Sequence, residues 1–124
     1  MAGGTLDRGK EVDLNVKYTS ADNTSSFPVV VWDIPAGKKL RVYDVIFGIQ
    51  NKEATTIARA FIEIRKKGAW ETLIQVGYFG KGFDRCSHNF GGRLVVENGG
   101  KINLRFAGNS TNYEIYITVL GRLE

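Results

Sequence analysis

The stretch IARAFIEIRKKGAWETLIQVGYF, residues 57–79, decides the fold. Ala58, Ala60, Ile62 and Ile64 occupy alternate positions, opposite Arg59, Glu63 and Arg65. Alanine and glutamate favour a helix. A helix, however, repeats its apolar face every three or four residues, and these recur every second one, the period of a half-buried strand. KKGA then supplies the turn that closes a hairpin onto WETLIQVGYF, residues 70–79. Read this way, the chain contains no credible helix.

The same rhythm extends outward in both directions. VDLNVKY (12–18) places Val12, Leu14, Val16 and Tyr18 on one face. FPVVVWDI (27–34) is β-branched and flanked by prolines, which suits a strand near a sheet edge. In LRVYDVIFGIQ (40–50) the apolar positions shift from Leu40 and Val42 to Val45, Phe47 and Ile49. That change of phase predicts a bulge, with Gly48 marking a second irregular point. RLVVENGGKINLRF (93–106) contains Asn98-Gly99, a strong hairpin signal, and NYEIYITVLGRL (112–123) alternates again. Strands roughly ten residues apart, with turn signals between them, predict an all-β protein: an antiparallel β-sandwich of jelly-roll type with about eight strands. Residues 1–10 are polar and glycine-containing, and are expected to form a mobile or partner-swapped arm ahead of a single domain over 11–124.

Bulk composition narrows the function. The 124 residues include fifteen glycines, two prolines and a net charge of +4. The basic residues are spread along the chain, and the densest cluster, Arg65-Lys66-Lys67, falls at the expected hairpin turn. A polyanion binder concentrates charge on one face, so nucleic acid is not indicated as a partner. The opening MAGGTLDRGKEVDL lacks the apolar run of a secretory signal, and no stretch approaches a membrane span. Synthesis in a cytoplasm, with no membrane partner, is the expectation. One cysteine cannot form an internal disulfide.

That cysteine, Cys86, lies two residues from the lone histidine, His88, and two from Asp84. On a strand all three project from one face. Zinc sites normally take three or four protein ligands, and no other Cys or His is present to complete one. A nucleophilic pair needs hydrogen-bond reach between sulfur and imidazole, and i, i+2 neighbours on a strand are splayed. A packed Cys86 beside a hydrogen-bonded His88 is therefore expected, with no metal, no cofactor and no catalytic residues. Neither GxxxxGK[ST] nor GxSxG occurs.

The more unusual segment is GYFGKGFDRCSHNFGGR (77–93), where aromatics alternate with glycines and cations. One reading has the rings plug the end of the sandwich while the glycines turn its corners. The other makes Tyr78, Phe79, Phe83, Lys81 and Arg85 a binding surface, for a subunit contact or for stacking on sugar rings. Trp32 and Trp70 each adjoin an apolar run and suit core or interface. Trp70 joins the candidate binding set as a second sugar platform.

IPAGKKLRVYDVIF (34–47) resembles a turn-and-strand phrase of jelly-roll modules in virus particles. LVVENGGKINLRF and NYEIYITVLGRL, within 94–123, are similar to the last strands of such modules, and together these segments cover about half the chain. The family resembled is the small jelly-roll decoration (cement) and spike proteins of tailed-phage capsids. That resemblance implies a non-enzymatic virion structural protein that forms a homotrimer and binds a capsid or other virion protein, and it carries over no catalytic residue. A carbohydrate-binding β-sandwich module is the alternative, and a metal-dependent enzyme built on Asp84, Cys86 and His88 a weaker one.

Overall fold

A computed structural model describes residues 10–20, 29–66, 69–97 and 100–124. The expected arm at 1–10 falls outside it, except for Lys10, which opens the first strand. Eight strands follow: β1 Lys10–Thr19, β2 Val29–Asp33, β3 Leu40–Asn51, β4 Ile57–Lys66, β5 Ala69–Phe79, β6 Gly82–Val96, β7 Lys101–Gly108 and β8 Tyr113–Leu123. They form two four-stranded sheets, ordered β1-β8-β3-β6 and β2-β7-β4-β5, with every pairing antiparallel. Only β4 and β5 are neighbours both in sequence and in a sheet; every other connection crosses to the opposite sheet. This is the strand order of a jelly roll, and the β-sandwich expected from the alternation is the fold observed.

The hairpin over 57–79 is present, with Ala58 paired to Tyr78 and Ile62 to Ile74. Ala58, Ala60, Ile62 and Ile64 are all buried. They face Leu40, Val42, Val45, Phe47 and Ile49 of β3 and Tyr113, Ile115, Ile117 and Val119 of β8 across a single core. β2 is an edge strand, as its prolines predict.

Two expectations fail. Asn98 and Gly99 lie outside the described residues, but β6 and β7 on either side of them belong to different sheets, so the link is not a hairpin. A local turn signal does not encode a change of layer. Gly48 is not an irregular point either, since its pairing with Arg85 and Tyr116 is in register. The bulge in β3 does occur, between Val42 and Asp44. Opposite it β6 inserts extra residues between Asn89 and Leu94, with Gly91 and Gly92 at φ 58° and 80°.

Candidate functional site: the corner between β5 and β6

The candidate site lies where β5 leaves one sheet and β6 enters the other. Gly80, at φ +84°, makes the turn. Along both strands the side chains alternate between the interior and the outer faces. Phe79 points out from the β2-β7-β4-β5 sheet and is 71 % exposed. Phe83 and Arg85 lie on the outer face of the other sheet, and Phe83 is 48 % exposed. Tyr78 has inward parity but sits at the open end of the sandwich, 39 % exposed, with its ring over Gly82, where a Cβ would come within 2.1 Å of it. Lys81, in the turn between them, is exposed. Gly82 thus makes room for a ring, and 82–96 is one continuous strand. Trp70 stands at the other end of β5, paired with Arg65, away from the rest of the set.

Asp84 has a structural task. Its Oδ2 accepts a hydrogen bond from the Gly77 amide at 2.9 Å, tying the edge of one sheet to the edge of the other. Cys86 is half-buried against the core. His88 is exposed and stacks on Phe90, with ring centres 4.6 Å apart. Among the described residues no three His, Cys, Asp or Glu side chains gather as metal ligands would.

Two hollows flank the corner. The first, about 460 Å³, lies on the β4–β5 side between Ile57, Arg59, Gln75, Gly77 and Phe79 and reaches Asp84 of β6. Gly77 leaves space for the stem of Arg59, whose Cγ is 2.6 Å from where a Cβ would stand. The second, about 230 Å³, lies on the β1-β8-β3-β6 sheet and is lined by Ile46, Gly48, Phe83, Arg85 and Tyr116. Gly48 forms its floor: the Phe83 ring reaches within 3.1 Å of its missing Cβ. Phe83 and Tyr116 stand 6.3 Å apart at 47°.

Sequence reasoning missed Tyr116 and its charged neighbours. The Tyr116 hydroxyl donates to the Glu114 carboxylate, which also meets Lys52 Nζ at 3.1 Å and Lys17 Nζ at 3.4 Å. The bond from Tyr116 and then the two ammonium groups hold the Glu114 carboxyl down at about 2, and the same bond raises the Tyr116 hydroxyl. Lys17 Nζ lies 5.7 Å from the centre of the Tyr116 ring. These residues come from β1, from β8 and from the position just after β3, and only strand register brings them beside Phe83.

No family model matches the chain, and no curated protein matches it. Solved structures do resemble it. The Eiger TNF of S. frugiperda is 10 % identical over 87 % of this chain and 84 % of its own, with a TM-score of 0.47. A structure of infectious bursal disease virus, Gx strain, is 12 % identical over 95 % of this chain and 37 % of its own, TM-score 0.44. TmCBM61, solved in complex with β-1,4-galactotriose, is 14 % identical over 96 % of this chain and 89 % of its own, TM-score 0.36. Likenesses at this level concern the fold alone.

Proposed function

We propose that this chain is a non-catalytic structural protein of a virus particle, a jelly-roll subunit that assembles as a homotrimer and docks on a capsid or other virion protein. The observation that carries this reading is the exposed corner of β5, Phe79 at 71 % and Tyr78 at 39 %. Large aromatic rings are the side chains most often found at the centre of interfaces. Covering these two would remove on the order of 200 Å² of surface, worth about 5 kcal/mol of apolar burial. That is the scale of one hot spot, not of a whole interface, so the contact extends beyond the corner to a standard area of roughly 1,600 Å². The occupations of Asp84 and His88 support the non-catalytic part of the reading: each already has a partner within the fold.

Light scattering on the purified protein tests it. The expected result is a defined oligomer, a trimer, that Phe79→Ser shifts toward monomer while the circular-dichroism spectrum stays that of a β-protein. A wild-type chain that remains monomeric at high concentration overturns the self-association.

A further inference from the structure

We propose that the Gly48-floored hollow on the outer face of the β1-β8-β3-β6 sheet is a binding site for a single acidic sugar ring, of the uronic-acid type, at the end of or within a glycan. This goes beyond the assembly reading, which rests on the other face of the corner. The hollow measures about 230 Å³. That is below the roughly 300–1,000 Å³ of pockets that take drug-sized ligands, and it suits one ring. Its walls are the rings of Phe83 and Tyr116 and the side chain of Ile46, which offer apolar surface to the C–H face of a sugar. The absence of a side chain on Gly48 is what makes the surface concave, since that residue sits in regular strand with no turn to make.

Charge selects the class of ligand. Arg85, paired in register with Gly48, lines the hollow, and the described residues supply it with no carboxylate partner. Asp84, its neighbour in sequence, is turned to the Gly77 amide. Beyond Tyr116 the single carboxylate, Glu114, is matched against two cations, Lys17 and Lys52. The rim therefore carries an excess of positive charge, and a guanidinium offers two parallel donors to a carboxylate. An occupant that fits needs an apolar face one ring wide and an anionic group at its edge. An acidic pyranose has both, whereas a second copy of this chain would bring the cationic Lys81 beside its Phe79.

The test is a glycan array carrying uronic-acid, sulfated and neutral saccharides, followed by titration of the best binder into the full-length protein by isotope-edited NMR. Uronic-acid glycans should bind, more weakly as salt rises. Gly48→Val, which fills the floor, should abolish binding, and Arg85→Gln should weaken the acidic ligand about tenfold while leaving any neutral analogue unchanged. Phe79→Ser should bind as the wild type does. An array blank for acidic saccharides overturns the proposal, as does a Gly48→Val variant that is folded by its NMR spectrum and still binds. Equal binding of neutral and acidic glycans, indifferent to Arg85→Gln, overturns the charge assignment. If instead an acidic peptide with a phenylalanine anchor binds and the glycans do not, the hollow serves a protein partner and the saccharide assignment falls.

Discussion

Asn51 is the most consequential polar residue in the sandwich. It is 1 % exposed, accepts from Ser110 Oγ at 2.7 Å and from the Glu53 amide, and donates to Thr56 O at 3.1 Å. One side chain therefore fixes the β3–β4 loop to the β7–β8 loop. Replacing it by leucine removes the bonds to Ser110, Glu53 and Thr56; Ser110 keeps Asn112 and Thr56 O keeps the Gly80 amide, so the loss is about 1–3 kcal/mol in all. Asn51→Leu should accordingly lower the urea midpoint. Thr55 poses the opposite case. It holds φ 62°, a conformation that costs a β-branched residue roughly 1–2 kcal/mol. Thr55→Asn, exposed and tolerant of that geometry, should raise stability by about 1 kcal/mol in the same assay.

Glu114 sets a pH dependence. Its carboxyl is held at about 2, below the ordinary 4.5, so the unfolded chain takes up this proton first as pH falls. The stabilisation it brings is complete above 4.5 and disappears as pH drops through about 2. Glu114→Gln should flatten that part of the stability curve between pH 4.5 and 2, measured by urea unfolding at each pH.

At the scale of elements, alternation made β1, β3, β4, β5 and β8 readable, because each has one face turned to the core and the other to water. The bulge in β3 was visible for the same reason: a phase change in the apolar pattern is a bulge seen from the side. The glycines were not readable. At Gly48 only the tip of the Phe83 ring comes close, within 3.1 Å of where a Cβ would stand, whereas at Gly77 the Arg59 stem takes the space. Those partners stand far away in sequence, so local rules make Gly48 an irregular point and Gly77 a corner. Gly108 is the strictest such position. A Cβ there would stand 2.2 Å from the carbonyl oxygen of Ile57, and its φ of 144° suits only glycine. Gly108→Ala should break the crossover from β7 and destabilise the fold more than Gly48→Ala, whose neighbour is a movable ring tip; thermal melts of the two compare them.

The whole molecule shows why the candidate site was half legible. Phe79, Phe83 and Arg85 are close in sequence, and the segment announced itself by composition. The crossover between sheets then sends Phe79 to one outer face and Phe83 with Arg85 to the other. Tyr116, Ile46 and Gly48 join the second group only through the register of β3 with β6 and β8. Two surfaces separated by one turn allow two kinds of contact at once. A subunit that assembles through Phe79 keeps the opposite hollow open, so Phe79→Ser and Gly48→Val should act independently, one on mass and the other on ligand.

The carboxylate of Asp84 on the Gly77 amide has a consequence for how this protein fails. An open sandwich offers bare strand margins to foreign chains, and a misplaced strand joins by capturing free amides. At the β5–β6 flank one such amide is already taken, from within, by a charged group. Fibrous aggregation under stress should therefore nucleate on the β1–β2 flank, and Asp84→Ala should open a second growing front that fluorescent amyloid dyes can register.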